Sequence, residues 1–147
     1  MQKDNCDCYI HLFRHVSEKS ISKITMATSL QNIRIALVHD WLLNISGSER
    51  VLQSLHKAFP EADVFTLFHD EEFVSEFLPD AKVRSTSLQS EYNLMRRPSL
   101  LVPFIPQAVE SLDLSEYDVV ISSGASFSKG LILRANAIHI AYCHSPT

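Results

Sequence analysis

Short apolar runs rich in β-branched residues alternate with helix-like stretches from residue 33 onward. The pattern predicts strands at residues 33–39, 63–68, 82–86, 117–122 and 137–143, with further helices around 71–77 and over 98–112. After the first strand the apolar residues share one helical stripe, which Pro60 ends: Val51, Leu52, Leu55, Ala58 and Phe59. The predicted fold class is α/β, a doubly wound, mostly parallel, Rossmann-like sheet with 82–86 as an edge strand and the other strands buried on both faces.

Residues 1–32 differ from the rest because their apolar residues follow no sustained strand or helix period. Met26 stands shortly before the first strand, so we interpret residues 1–32 as an extension, which is either a disordered tail or sequence upstream of a translation start at Met26. The domain is then 33–147. Within the extension Cys6, Cys8, His11 and His15 offer zinc-ligand types, but the close Cys-x-Cys spacing does not favour a site, and no metal is predicted.

The composition is that of a globular domain, with 147 residues, 46% hydrophobic and 20% charged. A net charge of −4 provides no basic field for phosphates, so no nucleic-acid partner is expected. Three cysteines are too few for a disulfide framework, which favours the cytoplasm. No apolar run is long enough to span a membrane.

The loop after the first strand ends in Ser46-x-x-Glu49, a capping box at a helix start. Gly47 and Ser48 there offer backbone amides and the positive end of the helix dipole to a phosphate. Glu49 is interpreted as a cap rather than a base, and a capped helix without a ligand is the alternative. The loop contains neither G-x-G-x-x-G nor the P-loop pattern, which argues against a nicotinamide, flavin or P-loop site.

A second polar loop follows the fourth strand and contains Ser123, Gly124, Ser126 and Lys129. The carboxyl ends of parallel strands collect ligands, so these residues are candidates for substrate binding at a second helix start. A helix merely capped by serine is the alternative. A serine hydrolase using Ser126 is disfavoured, because the nucleophile-elbow pattern lacks its last glycine.

The fifth strand ends at Tyr142-Cys-His-Ser-Pro146, which holds His144 at the rim of the sheet. A histidine there can contact substrate hydroxyls or move a proton, or it can be a structural residue. Cys143 is expected to pack as a small apolar residue.

Arg96 and Arg97 adjoin a proline-interrupted apolar stretch. This stretch is interpreted either as a surface for an anionic membrane or a lipid-like acceptor, or as a core helix with solvated arginines.

Five segments, taken in order, resemble the amino-terminal domain of family 4 glycosyltransferases: Ile35-Ala-Leu-Val-His-Asp-Trp41, Gly47-x-Glu49-x-Val-Leu52, Ala62-Asp-Val-Phe-Thr-Leu-Phe68, Tyr117-Asp-Val-Val-Ile-Ser-Ser123 and Tyr142-Cys-His-Ser-Pro146. The resemblance covers about residues 33–147. It implies the amino-terminal half of a GT-B architecture and retaining transfer of a sugar from a nucleotide-sugar to a glycan or lipid-linked acceptor, as in cell-surface polysaccharide assembly.

Within this resemblance Gly47 matches the loop glycine that faces the donor phosphate, and His144 matches the catalytic-site histidine of the H-x-P motif. No cofactor and no metal are implied, since the nucleotide-sugar is a substrate. The family usually has two or three glycines where Ser46, Gly47 and Ser48 stand. We expect the chain to lack the donor-binding domain and to be inactive alone, in the cytoplasm or peripherally at the inner face of the membrane. The alternative is a non-catalytic α/β binding module.

Overall fold

The computed structural model describes residues 33–124, 127 and 130–144. The strands are β1 (Ile35–His39), β2 (Asp63–Thr66), β3 (Val83–Ser85), β4 (Val119–Gly124) and β5 (Ile138–Cys143). The helices are α1 (Gly47–Ala58), α2 (Glu71–Phe77), α3 (Leu88–Met95) and α4 (Ile105–Glu110), and two 3-10 turns, Pro98–Leu100 and Val102–Phe104, precede α4. The predicted extension, Ser126 and Lys129 lie outside the described residues.

The sheet is parallel throughout and has the strand order β3-β2-β1-β4-β5. The chain therefore builds one side of the sheet outward from β1, then returns across it to place β4 on the other side of β1. This reversal confirms the doubly wound, Rossmann-like α/β fold, with β3 at an edge as the sequence predicts. The crevice between the carboxyl ends of β1 and β4 is the point where such sheets bind ligands.

Helix α1 forms because the sequence provides a cap at its start, a proline just after its end and one apolar stripe between them. Ser46 and Glu49 make the predicted capping box, and Leu52 is fully buried. The amide of Phe59 closes the last turn on the carbonyl of Leu55 at 2.9 Å, and Pro60 follows. In α2, Asp70 instead caps the helix, accepting hydrogen bonds from the amides of Glu72 and Phe73.

The two faces of the sheet carry separate apolar clusters. Leu37 and Ile121 pack with Leu52 of α1 on one face, while Val38 and Val120 pack with Leu114 and Tyr117 on the other. A third cluster lies beside the ends of β1 and β2, where the Phe68 ring stacks on Trp41 and on Tyr92, with centroids 5.9 and 4.9 Å apart. These contacts anchor the loop after β1, which carries the start of α1.

Three expectations need correction. The predicted helix over 98–112 is broken by Pro103 and Pro106 into 3-10 turns and the short α4, while α3 was not predicted. The described residues between β4 and β5, 127 and 130–137, contain no helix. Strand β5 is exposed along its whole length rather than buried on both faces, so Cys143 is exposed instead of packed in the core.

No helix among the described residues is both long enough and apolar enough to cross a bilayer.

Candidate functional site

Three elements meet at the carboxyl edge of the sheet. Residues His39 of β1 and Ser123 of β4 are directly paired neighbours in the sheet. Just beyond β5, the ring Nε2 of His144 lies 2.9 Å from Oγ of Ser123, and the backbone amide of His144 donates to the carbonyl of Gly124 at 3.3 Å. The sheet register therefore brings together the candidates Ser123, Gly124 and His144 from two separate loops.

The first turn of α1 joins this group through Glu49. The Oε1 atom of this carboxylate lies 3.4 Å from Nε2 of His39, and the two side chains are only 4% and 2% exposed. The other oxygen, Oε2, accepts hydrogen bonds from the amide of Ser46 at 2.9 Å and from Oγ of Ser48 at 3.0 Å. Glu49 is a cap, as predicted, and it also ties the start of α1 to the end of β1.

The carboxylate of Glu49 is held in its ionised form. Burial acts to raise the pKa of Glu49, but hydrogen bonds from Ser46, from the backbone and from Ser48 outweigh it, so the pKa lies below its usual value. An ionised carboxylate accepts hydrogen bonds only, so Nε2 of His39 is the donor in their contact. The Nδ1 atom of His39 is buried and has no hydrogen-bond partner within the described residues.

The imidazole of His144 is neutral at neutral pH. Burial lowers its pKa and the neighbouring His39 lowers it further, while the carboxylates of Glu49 and Asp40 act in the opposite direction without restoring the usual value. The Tyr142 ring packs edge-on against His144 with centroids 4.9 Å apart. A neutral imidazole at this position suits hydrogen bonding to hydroxyl groups better than ion pairing with a phosphate.

Gly47 stands where a ligand can approach the backbone. Apart from its chain neighbours and the backbone of α1 itself, no atom lies within 4 Å of the position that a Cβ would occupy there. Packing therefore does not require glycine at this position, and the space beside the first amides of α1 is open. The first amides of any helix lack partners within the helix, and those of Gly47 and Ser48 stand at the positive end of the dipole. Ser48 also contributes a hydroxyl, which is already bonded to Glu49.

The two candidate arginines do not belong to this cluster. Arg96 binds the carboxylate of Asp70 at 2.7 Å, and its guanidinium lies 5.5 Å from the centroid of the Tyr92 ring. Arg97 is exposed. In the apolar stretch beside them Leu100 and Phe104 are exposed, whereas Leu101 and Ile105 are buried in the cluster around Phe68. The stretch therefore packs into the core with both arginines exposed, as one alternative holds, but as 3-10 turns and α4 rather than as a single helix. A membrane or acceptor contact by Arg96 and Arg97 stays a prediction.

A groove of about 360 Å³ lies between α3 and α4, away from the cluster. Leu88, Phe104 and Ala108 form part of its wall. It shares no residue with the group around His144, so its size does not make it the site that the polar residues indicate. Among the described residues there is no group of three or more side chains arranged to hold a metal ion.

Sequence reasoning missed His39 as a member of the site. It ends β1 directly before Asp40, and a polar pair at the end of a buried strand was the available signal. The candidates Ser126 and Lys129 stay untested, because they lie outside the described residues.

No protein-family model, curated protein or solved structure matches this chain. The chemistry of the site is therefore argued from its own geometry and from the motifs in the sequence.

Proposed function

We propose that this chain is the acceptor-side domain of a retaining glycosyltransferase that uses a nucleotide-sugar donor and a glycan or lipid-linked acceptor. The observation that carries the proposal is the Ser123–His144 bond at the β1/β4 crevice, beside the capped start of α1. The motifs that resemble family 4 glycosyltransferases lie far apart in sequence but meet at one edge of the sheet. They supply the start of α1, which is suited to a phosphate, and the neutral imidazole of His144, which is suited to hydroxyl groups.

The two parts would have different tasks in the reaction. When the sugar–phosphate bond breaks, negative charge grows on the leaving diphosphate, and the amides of Gly47 and Ser48 would stabilise it. The acceptor oxygen forms the new bond to the anomeric carbon and its proton passes to the leaving phosphate. His144 would hold a hydroxyl of the transferred sugar, which orients the anomeric carbon. In the family that these motifs resemble, a second domain makes most of the other contacts to the donor. The domain in this chain would supply the contacts to the diphosphate and to the acceptor. A cytoplasmic location is part of the proposal.

Two-dimensional amide NMR of the 147-residue chain tests this function. UDP-glucose and GDP-mannose serve as probes, with millimolar affinity sufficient for detection. We expect saturable shifts at Gly47, Ser48, Ser123 and Gly124, reduced by His144→Ala. The matched control is His139→Ala, because Nε2 of His139 also bonds a serine, Ser122, at 2.9 Å on the neighbouring β4 position.

Absence of saturable shifts at these amides with either nucleotide-sugar would overturn the proposal. Shifts confined to the groove between α3 and α4 would do so as well, and would favour a non-catalytic binding module. If His144→Ala and His139→Ala weakened nucleotide-sugar binding equally, the role proposed for His144 in holding the sugar would be overturned.

A further inference from the structure

Two serine–histidine pairs join β4 to the β5 segment. Ser122 bonds His139 and Ser123 bonds His144, both through Nε2 at 2.9 Å. Successive residues of a strand point to opposite faces, so the two pairs lie on opposite sides of the sheet. The Ser123–His144 pair lies on the face that carries the side chain of His39, the sheet neighbour of Ser123. His39 in turn contacts Glu49 in the first turn of α1, so this pair is the one beside the start of that helix.

The Ser123 hydroxyl is rigidly placed. Ser123 is completely buried within the central part of the sheet, paired with His39 on one side and with Tyr142 on the other. His144, by contrast, is one residue beyond the end of β5 and is only half-buried. A bond from a fixed buried hydroxyl to a partly exposed ring determines which ring nitrogen is occupied.

The remaining ring nitrogen of His144 is the one left for a ligand. Its Nε2 is taken by Ser123, and its backbone amide is taken by the Gly124 carbonyl, so ring and backbone are both fixed. Nδ1 of His144 makes no hydrogen bond in the part of the chain that the structure describes. The two imidazole nitrogens are distinct, and the bond made by one sets the role of the other.

We propose that Ser123 is a positioning residue that binds Nε2 of His144 and thereby presents Nδ1 to a hydroxyl of the sugar in a nucleotide-sugar. This rests on the proposed function, which it deepens by naming the residue that fixes the His144 ring and the ring nitrogen that is left for the sugar. The diphosphate is left to the amides of Gly47 and Ser48. Ser123 itself does not touch the ligand.

Ring nitrogen NMR of the wild-type chain and of Ser123→Ala tests the proposal, with Ser122→Ala as the matched control. UDP-glucose and inorganic pyrophosphate are the probes. In the wild-type chain, UDP-glucose shifts Nδ1 of His144 more than Nε2, and pyrophosphate leaves both unchanged while shifting the amides of Gly47 and Ser48. Ser123→Ala changes the His144 ring resonances and weakens UDP-glucose binding by about 2- to 10-fold, the value of one hydrogen bond, without weakening pyrophosphate binding.

The controls separate the possible failures. Ser122→Ala alters the His139 ring and leaves affinity for UDP-glucose unchanged, and Ser123→Thr, which keeps the hydroxyl, restores both ring state and affinity. Unchanged His144 resonances and affinity in Ser123→Ala would overturn the positioning role, as would a pyrophosphate-induced shift of Nδ1. The wild-type arm does not depend on the variant folding. A third result separates the two proposals. If the wild-type chain binds no nucleotide-sugar while Ser123→Ala still changes the His144 ring resonances, the serine–histidine contact is confirmed but the proposed function fails. The role of Ser123 in presenting His144 to a sugar is then overturned as well.

Discussion

Replacing Glu49 by alanine removes the link between α1 and β1. The side chain is 4% exposed and accepts hydrogen bonds from Ser46, Ser48 and His39. Losing the capping interaction costs about 1 kcal/mol, and leaving buried polar partners unpaired costs roughly 1–3 kcal/mol more. We therefore expect Glu49→Ala to lower the free energy of unfolding by about 2–4 kcal/mol at pH 7.

Urea denaturation followed by circular dichroism measures this loss. The matched control is Glu72→Ala, an exposed glutamate in the first turn of α2, which should cost less than about 1 kcal/mol because it acts on the helix dipole alone. Similar losses for the two variants at pH 7 would refute the buried-link argument.

The pH dependence gives a second check on the same variant. The folded-state pKa of Glu49 is lowered, so its stabilising contribution is complete above the unfolded value near ~4.3 and is lost as pH falls through the lower folded value. The difference in stability between wild type and Glu49→Ala should therefore narrow in acid. A difference that stays constant down to strongly acidic pH would contradict an ionised Glu49.

Three further predictions test the site and the core. His144 should titrate below the ordinary histidine value in NMR, and Glu49→Gln should lower its pKa further because the carboxylate opposes burial and the effects of His39; an unchanged or raised pKa would contradict this. Leu37→Ala, at a fully buried position of β1, should cost about 2–5 kcal/mol in urea denaturation, and a loss below about 1 kcal/mol would show that Leu37 is not in the core. Burial, together with a hydrogen bond to Asp63, raises the pKa of Tyr117 to about 12. Because this pKa lies above the unfolded value of ~10, the stabilising contribution of Tyr117 is complete below pH ~10 and falls as the pH rises toward the folded value. If Tyr117→Phe lost as much stability at alkaline pH as the wild-type chain, this reasoning would be contradicted.

The sheet could be predicted because its signal is local. Each of β1, β2 and β4 is a β-branched apolar run, and α1 carries both a capping box and an apolar stripe. Helix α3 was not predicted because polar residues interrupt its apolar positions, which leaves a weak helical stripe. The exposure of β5 could not be read from the sequence either, since an apolar strand pattern does not specify what lies against it.

The site was predictable in its parts but not in its contacts. The loops after β1, β4 and β5 were identified because parallel strands end at one edge. The pairing of His39 with Ser123, and hence the approach of Glu49 and His144 to one another, follows from sheet register and from ring orientation. Both are set by tertiary packing, which spacing along the chain does not encode.

A crystal structure of this chain grown with a nucleotide-sugar tests the central claim most directly. The account predicts the diphosphate against the amides of Gly47 and Ser48, and a sugar hydroxyl within hydrogen-bond distance of Nδ1 of His144. A nucleotide-sugar bound in the groove beside Leu88 and Phe104, or a diphosphate seated on His144, would contradict it.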